Sequence, residues 1–319
     1  MNDILKYITD NKIMLSPLAG ISDLSFRLMC RKFGCKFAFT EMVDAKAVLY
    51  AKSANFRLLD MTPEDLPLGV QLAEYDEEIM LKAALKCEEM GKFSLLNINA
   101  ACPMRKVISS KKGVYLMKEP EQIAKMIRLL VKNVKMPVTL KIRSGFDVKT
   151  KNCEEIAKIA QDEGAKAIFI HPRHGKQKYS GKIDKNDLNK VIKAVKIPVI
   201  VSGDLFTAHD AVNMLNESGC AAVALARGSF GKPWIFKQIY QLLNGEKEIY
   251  NPTIEERKVF LKEHFHLLSQ NVPAKIAVPI MYKHILWYLK NAKDLHSIMK
   301  EHYKDIKTKE GFDAFLERL

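Results

Sequence analysis

Nowhere in these 319 residues do two cysteines form a CxxC pair, and no histidine joins a cysteine at zinc-ligand spacing. That excludes the common structural zinc modules, and no metal is expected. The six cysteines (Cys30, Cys35, Cys87, Cys102, Cys153 and Cys220) are scattered, which predicts reduced thiols and a cytoplasmic setting. A run of about 18 apolar residues is also missing, so no membrane-spanning helix is expected. Met1 to Asp10 lacks an apolar core, and no secretory signal is expected. Acidic residues are in deficit, 37 against 51 Lys and Arg, leaving a formal net charge of +14. Such an excess points to a polyanionic partner, with nucleic acid first in line. It is not spread evenly: 13 basic and 11 acidic residues follow position 240, so the excess lies before it.

Hydrophobic residues, at 48%, suffice for a sizeable core. Short apolar runs recur along the chain: 13–15, 37–39, 68–72, 95–98, 138–142, 167–170, 198–201 and 221–225. Amphipathic stretches lie between them, among them 77–90, 120–133, 154–163 and 208–218, and Gly91, Gly164 and Gly219 suit helix C-caps. Eight strands alternating with helices predict a parallel (β/α)8 TIM barrel, and the near-continuous apolarity of the runs fits strands covered on both faces. Met136-Pro137 and Ile197-Pro198 each end a helix and launch a strand, marking the bottom of the barrel. Beyond Trp234 the pattern is helical only, roughly 255–270, 278–291, 294–306 and 309–319, with Pro279 suited to a first helical turn. Two domains follow: a barrel over 1–240 and a small helical domain over 241–319. The aromatic stretch 280–289 reads as the core of that second domain.

Chemistry in such barrels sits where strands end. The fourth run leads into Asn99-Ala100-Ala101-Cys102-Pro103, where proline stops the strand and presents the thiol from a fixed turn. A lone cysteine is usually a small buried hydrophobe, so the surroundings decide. The first strand ends in Ser16-Pro17-Leu18-Ala19-Gly20, small residues that let a flat ligand approach. The second ends in Thr40-Glu41-Met42, and Gln71 sits in the third. Lys141 and Arg143 alternate on the fifth, so both point inward, and His171 ends the sixth with Arg173 two residues on. An inward lysine needs an anion or a polar ligand, either a bound group or an ion pair with Glu41. The seventh and eighth strands lead into Ser202-Gly203-Asp204 and Ala226-Arg227-Gly228, the two loops that commonly form a phosphate site in this fold. These residues describe a phosphorylated planar cofactor in the barrel mouth, with Gln71, Lys141 and His171 at its ring and Gly203, Arg227 and Gly228 at its phosphate.

At this level of detail the chain resembles the dihydrouridine synthases, FMN-dependent enzymes that reduce uridine in tRNA. The resemblance runs through Pro17-Leu18-Ala19-Gly20, Thr40-Glu41-Met42-Val43, Val70-Gln71-Leu72, Asn97 to Pro103 with Lys106-Val107, Leu140-Lys141-Ile142-Arg143, Ile170-His171, Val201 to Asp204, and Ala226-Arg227-Gly228 through Phe236. It implies FMN on Pro17, Leu18, Ala19, Gln71, Lys141, His171, Ser202, Gly203, Asp204, Ala226, Arg227 and Gly228. It also implies NADPH (or NADH) as reductant, hydride delivery from the flavin to uracil C6, and Cys102 as the acid that protonates C5. Asn99, Lys106, Arg143 and Arg173 would contact the substrate. The helical tail would bind tRNA, and a monomer is expected. Another FMN barrel acting on a small enone or free pyrimidine, or a synthase acting on ribosomal RNA, stays open. Three positions depart from the family's habit: Ala101 replaces a glycine and would strain a positive-φ turn, His174 replaces a threonine, and Lys185 stands where an aromatic often follows Asp184.

Overall fold

The eight apolar runs become the eight strands of one closed parallel barrel, hydrogen-bonded in chain order with β8 returning to β1. The computed structural model describes residues 3–51, 57–290, 292–293, 295–302, 306 and 308–318. The strands are β1 (Ile13–Leu15), β2 (Ala38–Asp44), β3 (Leu68–Ala73), β4 (Leu95–Ala100), β5 (Val138–Arg143), β6 (Ile168–His171), β7 (Val199–Val201) and β8 (Ala222–Leu225). Helices α1 (Ile4–Asn11), α2 (Leu24–Lys32), α3 (Ala45–Tyr50), α4 (Glu77–Glu89), α5 (Arg105–Ser109), α6 (Pro120–Asn133), α7 (Cys153–Asp162), α8 (Lys185–Ala194), α9 (Ala208–Ser218) and α10 (Ile235–Leu243) accompany the barrel. The second strand does not end at Met42, as the sequence pattern predicts. It continues to Asp44 through a register irregularity between Phe39 and Met42, which brings Met42 opposite Gln71.

Alternation along the strands sorts the interior into layers. At the floor, Phe37, Phe39 and Phe169 meet edge to face at centroid distances of 5.2 and 5.4 Å. Ile4 and Ile8 of α1 join this apolar layer and close the barrel's N-terminal end. One step up, Gln71, Asn97 and Thr139 stand side by side across β3, β4 and β5. Above them Asn99 pairs in register with Lys141, and Arg143 with His171. An apolar floor under a polar ceiling is the arrangement that sends a ligand to the C-terminal mouth.

The chain after residue 250 forms α11 (Ile254–Asn271), α12 (Ala274–Tyr288), α13 (Leu295–His302) and α14 (Lys309–Glu317). Thr253 and Glu256 make a reciprocal capping box that starts α11. Pro279 is not in a first turn, as the sequence suggests, but inside α12. Pro273 ends the preceding segment earlier, so the helix begins at Ala274 and tolerates the amide that Pro279 lacks. Met281, Ile285, Tyr288 and Leu289 are buried in the helical core, as the aromatic stretch predicts, whereas Tyr282 of the same stretch is exposed. Trp287 instead stacks on Phe230 of the barrel at 4.5 Å, and Lys283 donates to the carbonyl of Gly20. Among the described residues no helix is long and apolar enough to cross a membrane.

His264 of α11 and His284 of α12 are fully buried with ring centroids 4.6 Å apart, both against Phe26 of α2. None of their four ring nitrogens has a hydrogen-bond partner among the described residues. Burial holds both imidazoles neutral, lowering His264 to about 4 and His284 well below its ordinary value. In the unfolded chain such a ring takes up its proton near pH ~6.5. Between that pH and about 4 the unfolded state therefore binds more protons, and stability falls as pH drops through the window. Thermal unfolding across pH 7 to 4 should show a loss of about 3 kcal/mol attributable to His264, absent in His264→Leu.

Candidate active site

A cavity of about 440 Å³ opens at the C-terminal end of the strands, a size typical of ligand sites. A larger, more open groove of about 990 Å³ lies beside it, lined by loop residues of mixed charge, and shares Asp204 and Phe206 with it. Only the smaller cavity gathers buried polar groups from many strands.

Its floor is a directed row of hydrogen bonds. Thr139 Oγ1 donates to the carbonyl of Leu96 (2.9 Å) and accepts from Asn97 Nδ2 (2.9 Å). Asn97 Oδ1 accepts from Gln71 Nε2 (2.7 Å), and Gln71 Oε1 accepts from Asn99 Nδ2 (2.6 Å). Asn99 Oδ1 then takes the backbone N–H groups of Ala101 (3.0 Å) and Cys102 (2.9 Å). Asn99 thus shapes the turn that carries the thiol. Ala101 does not sit at positive φ, so its methyl group strains nothing. Its carbonyl accepts from Arg143 Nε at 2.8 Å.

Cys102 is half-buried, whereas the other five cysteines are buried. Burial pushes its thiol up, against smaller downward pulls from the Met104 N–H, Arg143 and Lys141. The side chain is therefore protonated at neutral pH, as a proton donor must be. Lys141 reaches the same cavity and is lowered to about 8, mainly by burial and then by Arg143. Glu41 does not pair with it: that carboxylate accepts from the backbone N–H of Gly20 instead. Among the described residues Lys141 has no ion-pair partner, so a positive charge faces the cavity without compensation.

His171 Nε2 lies 3.0 Å from Arg173 Nη1. A guanidinium only donates, so Nε2 is the acceptor and the ring proton sits on Nδ1. Burial, followed by Arg143, Lys141, Arg173 and Arg227, holds the imidazole far below its ordinary pKa and keeps it neutral.

The loops after β7 and β8 meet tightly. A Cβ on Gly228 would lie 2.0 Å from the Leu205 carbonyl oxygen, and one on Gly203 (φ +110) would lie 2.7 Å from His171 Cδ2. Asp204 is already matched by Arg173 at 2.6 Å and the Ile183 N–H at 2.9 Å. Arg227, 3.7 Å from Asp204 and one-third exposed over Tyr179 and Phe206, keeps its donors for an incoming anion. The donor set suits a flat, acceptor-rich ring with a phosphate: a cation and a neutral N–H at the ring, and two glycines and an arginine at the anion.

Cys102 and all twelve residues expected to hold the cofactor border this cavity, as do Asn99 and Arg143. Arg143 faces it with a guanidinium committed to the carbonyls of Ala101, His174 and Lys178. Lys106 and Arg173 do not border it. Lys106 is exposed on α5, and Arg173 is buried behind His171, bound to Ser180, Gly181 and Asp204. The sequence reading missed the exposed rim residues Met104, Tyr179 and Phe206. Exposed aromatics beside loop arginines are the signal that would have found Tyr179 and Phe206. His174 caps a short turn by accepting from the Gln177 N–H, and Lys185 pairs with Glu217.

The sequence model of the family described as Dihydrouridine synthase (Dus) matches residues 14–319. A Rhodobacter capsulatus protein named probable tRNA-dihydrouridine synthase is 36% identical over 284 residues, covering 89% of this chain and 87% of its own. A Rickettsia conorii protein of the same name is 35% identical, covering 87% of this chain and 84% of its own. The Vibrio vulnificus protein named tRNA-dihydrouridine synthase B is 34% identical, covering 89% and 88%. Among solved structures, histamine dehydrogenase from Rhizobium sp. 4-9 shares the fold at a TM-score of 0.56 and 11% identity, over 81% of this chain and 49% of that one.

Proposed function

This chain belongs to the dihydrouridine synthase family, and from that premise we propose that it reduces uridine in tRNA to 5,6-dihydrouridine with FMN in the barrel mouth and NADPH as reductant. One observation carries the reading: a protonated, half-buried thiol and an uncompensated lysine border one cavity above a glycine-and-arginine cradle. When bound, the flavin supplies the hydride that reduces C6 of the uracil. Cys102 gives its thiol proton to C5, and solvent returns a proton to the thiolate. Lys141 and His171, which border the cavity, would hold the ring, and the lysine charge would favour its electron-rich form. Arg227 with the backbone around Gly203 and Gly228 would hold the phosphate. Asn99 and Arg143 hold the Cys102 turn from either side. Residues 1–240 form the catalytic domain, and residues 241–319 bind the RNA together with the basic barrel face. The target base has to leave the RNA stack to enter a cavity this deep.

An anaerobic titration tests this. The purified protein should be yellow, bleach with NADPH and recover its colour with tRNA that lacks dihydrouridine. Dihydrouridine should appear in the RNA, and free uridine should be inert. Recovery of colour with free pyrimidine or a small enone, or only with ribosomal RNA, would replace this reading. A colourless protein that takes up no FMN would end it.

A further inference from the structure

We propose that Lys112 is a positioning residue for Cys102, and that its ion pairs with Asp44 and Glu74 set how the thiol meets the cavity. The inference rests on the reading of Cys102 as proton donor. Lys112 lies in the loop between α5 and the 3-10 turn Gly113–Lys118, at the far end of the excursion that begins at the thiol. Its Nζ is 2.7 Å from Asp44 Oδ2, at the end of β2, and 2.9 Å from Glu74 Oε2, immediately after β3. The Lys112 side chain is 8% exposed and that of Glu74 is 3% exposed. Burial alone would draw the ammonium toward neutrality, but the two carboxylates outweigh it and hold it charged.

The residues that follow rest directly on the thiol's own backbone. Val114 N–H donates to the Cys102 carbonyl at 3.0 Å. Gly113, at φ +62, approaches so closely that a Cβ there would lie 2.7 Å from that carbonyl oxygen and 3.0 Å from Cys102 Cβ. One ammonium therefore ties the ends of two neighbouring strands to the segment that backs the thiol. On the opposite side the turn is held by Asn99 and Arg143. Without the pairs, Cys102 keeps its bonds to the barrel and loses the support that fixes its outer side. A buried ion pair is weak evidence for stability, whereas control of geometry is a use it serves. Misplacing a reacting group by an ångström costs on the order of 100-fold in rate.

The test uses the full-length, flavin-loaded protein as Lys112→Met, Glu74→Gln and Lys112→Arg. The first readout is alkylation of residue 102 by iodoacetamide without RNA, which Cys102 reports alone because the other thiols are buried. Lys112→Met and Glu74→Gln should each alkylate about threefold faster or more, with an unchanged flavin spectrum. Their kcat on tRNA should fall roughly 10- to 100-fold while KM stays near wild type, and Lys112→Arg should recover most of the loss. Wild-type alkylation and kcat in folded variants overturn the proposal. If Lys112→Met fails to fold, Glu74→Gln, which keeps shape and the Asp44 pair, is judged by the same criteria. If Cys102→Ala itself turns over normally, the proton-donor reading falls, and the alkylation rates alone then decide whether Lys112 holds the loop.

Discussion

Cys102→Ala should lower turnover on tRNA by about 10²- to 10⁴-fold, the span that a positioned general acid contributes, while FMN uptake stays unchanged. The loss is expected to be specific because the thiol accounts for little of the local structure. Its turn is held through backbone groups, by Asn99 Oδ1 on two N–H groups and by Arg143 and Val114 on two neighbouring carbonyls. Alanine keeps all four. Removal of the sulfur therefore deletes the proton and little else. Stopped-flow measurement separates the steps: NADPH should bleach the flavin at the wild-type rate, and reoxidation by tRNA should stall. Cys102→Ser should recover only a small part of the rate, since a hydroxyl is a far weaker acid than a thiol. Reoxidation of the alanine variant at the wild-type rate would remove Cys102 from the chemistry.

Gly231→Ala should destabilise the chain by about 3 kcal/mol or more and weaken RNA binding about tenfold or more. At φ +60 this glycine touches α12 backbone to backbone. A Cβ would lie 2.3 Å from Trp287 C and 2.5 Å from Tyr288 N, closer than real Cβ contacts come. No side chain can swing aside to relieve that, so α12 must move away from the barrel. The Phe230–Trp287 stack beside it breaks with the displacement. Urea midpoints report the stability, and a filter-binding titration with tRNA reports the affinity. Flavin content should suffer less, because Lys141 and His171 stand on β5 and β6 and Gly203 in the loop after β7. A variant with wild-type midpoint and affinity would show that the helical tail is not seated through this contact.

Much of this architecture is legible in the residues because burial on both faces leaves a plain signature. Eight apolar runs announce eight strands, and polar residues interrupt them only where the barrel opens. Gln71, Lys141 and His171 are found that way: each is a polar residue in an apolar run, at an inward-facing position. Direction beyond the strand ends is not legible. Arg173 is two residues from His171 and reads as a cavity residue, yet its guanidinium turns back to Ser180, Gly181 and Asp204. Lys106 follows the thiol in sequence but leaves with α5 into solvent. Tyr179 and Phe206 reach the rim from loops whose course depends on partners far away in the chain. The same holds for Lys112, whose carboxylates come from two other strand ends.

The row from Thr139 to Cys102 has only one sense. A carbonyl at Leu96 can only receive, and the amides of residues 101 and 102 can only give, so none of the three side-chain amides between them is free to turn over. Gln71 and Asn99, which both border the cavity, each keep a second amide N–H outside this row. Whatever settles against them meets donors that cannot reverse, and a guest offering only donors of its own is refused there by the sheet itself.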